Sequence, residues 1–408
     1  MAPIDRTSYS APSRSRYDVV IVGGAMYGSS VSWFLSTNPD FDGSILVIER
    51  DPSYEFSSTA RTNSCMRQQF SQEINVKVSQ FAAEYVKNFR YFMGGDREVP
   101  EIALHSYGYL YMAGTKDAVD IMKQCQAIQA ACGAGTQFMT RDEIADAYPF
   151  YNLEGVLGAN HNLKDEGYFD GGTVFNWWRQ SGKAHGVEFI ANEAVAMTLN
   201  ASETQVESVI LATGEIVACG TVVNASGPRA TLTSRMAGIE LPIEPRRRYT
   251  YIFDAEQPLD RDLPLTIDPS GCHMRSDGRY YLAGCPPDHD PATDYDDFAE
   301  DHDIWEAKLW PAIANRVPQF EAIKVINSWV GHYAFNTLDQ NAILGRHTRV
   351  ENFIFVNGFS GHGFQQSPAM GRGTAELITY GEYRSLDLTP FDFSRIERNE
   401  PFLELAII

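Results

Sequence analysis

The chain has 408 residues, beyond the roughly 250–300 at which one hydrophobic core splits, so two lobes are expected. With 44% hydrophobic and 21% charged residues it has the composition of an ordinary globular protein, and its net charge of −20 excludes nucleic acid as a partner, because phosphate neutralisation needs clustered Lys and Arg. No apolar run approaches the ~18 residues that a membrane span requires.

In chain order, residues 1–16, MAPIDRTSYSAPSRSR, predict a polar flexible tail. Asp5 and the lack of an apolar face argue against a transit peptide. YDVVIV (17–22) is a β-branched run suited to a buried parallel strand, and GSSVSWFLS continues as a helix. The turn between them holds Gly23, Gly24, Ala25, Met26 and Gly28, a G-x-G-x-x-G dinucleotide fingerprint whose middle glycine is alanine. Ala25 adds one methyl, which a negative φ tolerates, and the helix N-terminus still offers amide donors to a pyrophosphate. The next strand, SILVIER (44–50), ends in Glu49, an acid placed to accept both ribose hydroxyls. Its charge prefers NAD or FAD to NADP.

A helix is predicted from Gln72 to Phe92, then β-rich ALHSYGYLYMAG, then helices over 116–132 and 140–148, the last opened by the capping box Thr140 to Glu143. A helix over 172–186 feeds the strand VEFIAN. A hairpin, ESVILAT with GEIVACGTVVNASG, returns to a buried strand before a helix from Pro228. From 240 to 345 alternating strands dominate, with one helix near 300–314; the acidic run 288–303 reads as a solvated loop. The strand NFIFVNG, the turn GFSGHGF and a helix from Gln366 to Tyr380 follow. The fold class expected is α/β (α+β overall), an FAD-binding Rossmann-like βαβ lobe assembled from 17–95, 150–235 and 345–390. A β-rich substrate lobe takes 96–149 and 236–344, and 391–408 forms a C-terminal extension. The six cysteines, Cys65, Cys125, Cys132, Cys219, Cys272 and Cys285, form no C-x-x-C pair and follow no secretory h-region, which predicts reduced thiols and a cytoplasmic location.

GFSGHGFQQSPAMG (358–371) turns a strand end straight into a helix, a natural clamp for the anionic edge of a reduced flavin. It resembles the C-terminal flavin loop of the D-amino acid oxidase superfamily of FAD enzymes. VVNASGP (222–228) resembles a strand end of the same superfamily, and SSTARTNSCMRQQFS (57–71) sits where those proteins line the cofactor. The resemblance covers about 17–394. It is nearest to a subgroup that includes a mitochondrial FAD-dependent oxidoreductase domain protein linked to complex I assembly, with RQQFSQEIN, LPIEPRRRYTYIF and SWVGHYAFNTLDQN in common. It implies Gly23, Gly28, Glu49, Arg50, Ser58 and Thr59 on the adenosine and pyrophosphate, and Val195 at the adenine. It also implies Ala225 and Gly227 at the pyrophosphate, and Gly358, Phe359, Gly361, His362, Gly363, Phe364 and Gln365 on the flavin. Where monomeric sarcosine oxidases carry a flavin-bound cysteine this chain has His332, which implies non-covalent FAD, with His332 itself as the alternative link. Where they carry a lysine that assists oxygen reduction, RYYLAGC offers Leu282, which counts against a fast oxidase reaction.

The superfamily oxidises C–N bonds by hydride transfer to flavin N5, giving an imine that hydrolyses. The resemblance therefore implies an FAD-dependent oxidoreductase acting on a small carboxylate-bearing amine, an N-substituted or free amino acid, with oxygen, a quinone or a flavoprotein as acceptor. A carboxylate calls for a guanidinium fork, and the candidates are Arg67, Arg275 and the cluster Arg246, Arg247 and Arg248, the last expected to form a positive well. His273, His332, Tyr249 and Tyr251 are candidate wall residues. Trp177, Trp178 and Trp329 are expected in the core. No metal site is expected. Two alternatives stand: oxidation of a 2-hydroxy acid with His273 or His332 as base, and a flavin-bound respiratory assembly factor whose surface is the function.

Overall fold

A computed structural model describes residues 6–406. The chain opens with β1 (Arg16–Val22), α1 (Met26–Ser36) and β2 (Ile45–Glu49), then β3 (Cys65–Met66), α2 (Glu73–Lys87) and α3 (Phe89–Phe92). The helix predicted over 72–92 is thus two helices, because Asn88 leaves helical geometry at φ −112° and ψ 28°. Next come β4 (Leu104–His105), β5 (Tyr109–Ala113), α4 (Lys116–Ala131), β6 (Gln137–Thr140) and α5 (Arg141–Ala147), whose capping box at Thr140 and Glu143 is present. They are followed by β7 (Gly158–Asn162), β8 (Gly167–Phe169), α6 (Gly171–Ala184), β9 (Glu188–Ala191), β10 (Ala194–Leu199), β11 (Val206–Leu211), β12 (Ile216–Asn224) and α7 (Ala230–Arg235). The second half holds β13 (Ile243–Ala255), β14 (Leu265–Ile267), β15 (His273–Asp277), β16 (Tyr280–Cys285), α8 (Trp310–Arg316), β17 (Ile323–Asn336), β18 (Ile343–Arg346), β19 (Phe353–Asn357), α9 (Gly363–Tyr380) and α10 (Ser394–Glu397). A π-helical turn, Trp305–Leu309, leads into α8.

One eight-stranded sheet runs β10-β11-β12-β1-β2-β9, with β19 parallel to the end of β12 and β18 beyond it. Val20, Leu46 and Val222 pack on one face, Ile21, Val31, Val47 and Ala369 on the other. Burial on both faces explains why these strands read as continuous apolar runs. The second sheet runs β17-β13-β16-β15-β14-β5-β7-β6, over a core of Tyr251, Phe253, Leu309 and Phe320. Strand β7 lies in this second sheet although 150–235 is expected in the nucleotide lobe, and β18, which straddles the expected boundary at 344, joins the first sheet. The reason is long-range pairing: Gly158–Asn162 aligns against Tyr109–Ala113, which local composition does not encode.

Residues 1–5 of the predicted tail lie outside the described residues. From Arg6 onward the segment is held, with Arg6 on Glu193 at 2.8 Å and Ser13 donating to Glu188. The C-terminal extension is likewise packed down: Arg395 pairs with buried Asp339 at 2.8 Å, and Glu404 has no exposed surface.

Candidate active site

The carboxyl ends of β1, β2 and β12 open into a cavity of about 790 Å³, the place where open α/β sheets bind ligands. At the β1–α1 turn Gly23 has φ +101°, and a Cβ there would lie 2.5 Å from the Ala225 carbonyl oxygen. A Cβ at Gly28 would lie 1.9 Å from the Gly23 oxygen. Ala25 sits at φ −71°, so its methyl is accommodated without strain. Glu49 is half-buried. Its Oε2 accepts the Gly24 N–H and its Oε1 the Asp51 N–H, both at 2.8 Å, and desolvation pushes its carboxyl above the usual range. Thr59 Oγ1 accepts the Met26 N–H at 3.1 Å, and Ser58 Oγ donates to the His332 carbonyl at 2.7 Å. Gly23, Ala25, Met26, Glu49, Arg50, Ser58, Thr59, Val195, Ala225 and Gly227 all line the cavity, whereas Gly24 and Gly28 shape the turn from behind.

The second end is built by the loop after β19. Gly358, Ser360 and Gly361 have positive φ of 73°, 47° and 97°, and a Cβ on Gly361 would press 2.2 Å from the Tyr333 ring. This loop aims the first turn of α9 at the cavity. The helix starts at Gly363, three residues before the predicted Gln366, and its N-cap, His362, makes no side-chain cap. Tyr27 stacks on Phe359 at 4.1 Å and donates to the Gly363 carbonyl. Both ring nitrogens of buried His362 lack a partner, and burial, with Arg67 beside it, holds the imidazole well below its ordinary range. Phe359, Gly361, His362, Gly363, Phe364 and Gln365 line the cavity and Gly358 does not. Two helix N-termini whose N-cap residues make no side-chain cap, glycines where a Cβ would clash and unpartnered buried nitrogens fit a long polar cofactor with an anionic centre, as FAD has.

The candidate substrate residues divide sharply. Arg67 lines the cavity while only 4% exposed. Its backbone N–H donates to Gln365 Oε1, its Nη1 to the Gln69 carbonyl and its Nη2 to that of Ala406. The guanidinium lies 4.0 Å over the Phe70 ring. Arg275 is off the cavity wall. It is tied to Asp277 and the Ser276 carbonyl through Nη1 and to the Asn63 carbonyl through Nη2, while its buried Nε has no partner. Tyr251 also leaves the wall. Alternation along β13 turns it into the second core against Trp305, and its neighbour Thr250 faces the cavity instead. Tyr249 shares that core but reaches the lining. The expected positive well is neutralised: Arg246 pairs with Glu244, Arg247 with Asp297, and Arg248 with Asp290 at 2.8 Å. The acidic run that supplies Asp290 and Asp297 is a largely exposed loop, as expected, whose inner side reaches the site: Tyr295, Asp296 and Phe298 wall the cavity, and Asp296 bridges Arg50 and Arg229.

His332 donates through Nε2 to the Asp297 carbonyl at 2.7 Å and stacks on Phe298 at 4.0 Å. Leu282 is buried within the sheet and off the lining, and the lining holds no lysine. Trp178 is fully buried in the core, Trp177 packs at its edge, and Trp329 donates to the Arg61 carbonyl. Sequence reasoning passed over Asn63, whose amide nitrogen donates to His273 Nε2 at 3.3 Å, whose Oδ1 accepts from Thr250, and whose carbonyl holds Arg275. It also passed over Tyr333, wedged between Gly361 and the Arg248 guanidinium. Tyr333 adjoins His332 on one strand and could have been found from it; no local signal marks Asn63.

Burial first, then Arg275 and Arg248, pull the His273 imidazole from 6.5 down to about 4. The unfolded chain therefore binds a proton that the folded chain refuses as pH falls from 6.5 to 4. Stability declines across that window by up to about 3 kcal/mol, with His362 acting in the same direction. Thermal melts between neutral and mildly acid pH are expected to show this decline, and to show a shallower one for His273→Gln.

A family model described as DAO, FAD dependent oxidoreductase, matches residues 18–377. The chain is 35% identical to FAD-dependent oxidoreductase domain-containing protein 1 of Xenopus laevis, over 100% of this chain and 87% of that protein. It is 22% identical to mitochondrial sarcosine dehydrogenase of Mus musculus over 96% of its own length, spanning 42% of that protein. Among solved structures it superposes on L-proline dehydrogenase from P. horikoshii with a TM-score of 0.81 at 25% identity, covering 95% of this chain and 99% of that one.

Proposed function

The chain belongs to the FAD-dependent oxidoreductase family, and from that premise we propose that it oxidises the C–N bond of a small carboxylate-bearing amine, an N-substituted or free amino acid, to an imine that water hydrolyses. The observation that carries this reading is Arg67: a buried guanidinium on the cavity wall, beside the α9 N-terminus, with N–H groups left over from its two backbone carbonyls. Similarity to proteins named sarcosine dehydrogenase and L-proline dehydrogenase, whose namesake substrates are both secondary amino acids, supports the substrate class.

FAD would be held by the Gly23–Met26 turn, Glu49 and the loop ahead of α9, and when bound supplies a hydride acceptor. The protein does the rest. Arg67 orients the carboxylate, which fixes the carbon that loses hydride. Burial first, then the neighbouring arginines, lower His273 and His362, and the same desolvation would favour a neutral amine with its lone pair free. The α9 amides stabilise negative charge delivered to the cofactor. Non-covalent FAD is supported by His332, whose Nε2 is bonded to Asp297 and whose ring is stacked on Phe298. Hydroxy-acid oxidation needs a base, and a His273 held near 4 and a His332 whose Nε2 is committed to the Asp297 carbonyl both serve that poorly, which favours the amine. A lining without lysine favours a quinone or flavoprotein acceptor over oxygen. Six unpaired cysteines support a reducing compartment such as the cytoplasm.

The test is anaerobic bleaching of the visible flavin band by sarcosine, other N-alkyl amino acids, free amino acids and 2-hydroxy acids, followed by admission of air. Bleaching by an amino acid is the expected result, and slow recolouring in air would mark a dehydrogenase. Bleaching by hydroxy acids alone would overturn the proposal. With dithionite-reducible flavin and no bleaching at all, a surface function such as respiratory assembly becomes the better reading.

A further inference from the structure

Residues 402–406 lie against Arg67 with Glu404 buried and Leu403 and Leu405 exposed. Glu404 is 0% exposed and has no salt-bridge partner among the described residues. Its Oε1 accepts the Ser71 backbone N–H at 2.8 Å, the Ser71 hydroxyl at 2.7 Å and the Ala406 N–H at 3.0 Å; its Oε2 accepts from Asn75 Nδ2 at 2.8 Å. Asn75 in turn accepts from Gln366 in α9, next to the Gln365 that accepts the Arg67 N–H. On the other flank, Phe402 and Glu404 donate their N–H groups to Asp339, and Leu405 donates to Ser71 Oγ.

A buried carboxylate without a cation is costly, and an apolar side chain would cover the same ground more cheaply. What Glu404 does that no apolar side chain can is fasten two segments to each other, 69–75 and 402–406. Each contributes one backbone carbonyl to the Arg67 guanidinium: Gln69, two residues before Ser71, to Nη1, and Ala406, two residues after Glu404, to Nη2. Those two carbonyls, with Phe70 beneath, set the plane of the fork. A fork is useful only when its plane meets that of the carboxylate.

We propose that Glu404 is a positioning residue for the substrate site, clasping the 402–406 segment so that Arg67 presents its guanidinium to a carboxylate at a fixed angle; this rests on Arg67 being the carboxylate clamp.

The experiment titrates flavin-loaded protein with pyrrole-2-carboxylate and with its neutral carboxamide, read by the shift of the flavin band, alongside flavin content and melting temperature. Glu404→Gln places an amide donor against the donors of Ser71 or Asn75. It is expected to weaken the carboxylate about tenfold and the carboxamide less than about twofold, with flavin content unchanged. Equal weakening of both probes, or of neither, overturns the inference. Should Glu404→Gln fail to fold, Ser71→Ala decides by the same criterion, with a carboxylate-only loss of about threefold expected. Arg67→Met separates the two layers of the argument. If it loses carboxylate binding while Glu404→Gln keeps it, only the clasp fails. If Arg67→Met itself retains carboxylate binding, the clamp fails and the clasp with it.

Discussion

Arg67→Met is expected to lower the second-order rate of flavin reduction by a carboxylate-bearing amine about 100- to 1,000-fold, the loss of two charge-assisted hydrogen bonds in a buried site. Stopped-flow reduction under anaerobic conditions measures it. Arg67→Lys keeps the charge but not the fork and is expected to recover only part of the loss, since a point charge does not reproduce bidentate geometry. The informative contrast is Arg275→Met. That guanidinium is tied to Asp277, Ser276 and Asn63, so its removal is expected to lower the melting temperature and leave the preference for carboxylate over carboxamide intact. If Arg275→Met abolished the carboxylate preference and Arg67→Met did not, the assignment of the clamp would be reversed.

The second large effect is expected at Gly28. A methyl there would stand 1.9 Å from the Gly23 carbonyl oxygen, a backbone atom that cannot rotate away. Gly28→Ala must therefore displace the turn or the start of α1, at a cost of about 3 kcal/mol, and is expected to purify with little flavin and to lose the further stabilisation that a bound cofactor confers. Ala25→Gly provides the control. Ala25 already has φ −71°, so restoring the missing glycine of the fingerprint is expected to change stability by less than about 1 kcal/mol and to leave flavin content unaltered. Flavin absorbance per protein and thermal melts with and without added FAD check both variants.

The contrast between these sites traces what could be read from the chain alone. The β1–α1 turn, Glu49 at the tip of β2 and the glycine-rich loop ahead of α9 were legible because their demands are local: a positive φ, a close backbone approach, a helix start, each confined to a few consecutive residues. The same holds for the βαβ order and the capping box at Thr140. The family followed from several such motifs in their order along the chain.

Which arginine reaches the cavity was not legible. Arg67 and Arg275 stand in equally suggestive surroundings, and their fates are decided by groups far away in sequence: Ala406 and Gln365 for one, Asn63 and Tyr168 for the other. Tyr251 reads as a wall residue until the pairing of β13 with β17 and β16 sets which face it takes, since a period of two turns neighbouring side chains to opposite sides. Nothing in the acidic run 288–303 shows that Arg50, Arg229 and Arg248 come to meet its inner side, and nothing in the C-terminal extension shows that Ser71 and Asn75 receive Glu404. The geometry of the candidate cofactor turn is a property of short stretches and was determined by the sequence as read. Which candidate substrate residues line the cavity is a property of strand register and of contacts spanning hundreds of residues, and only the tertiary structure decided it.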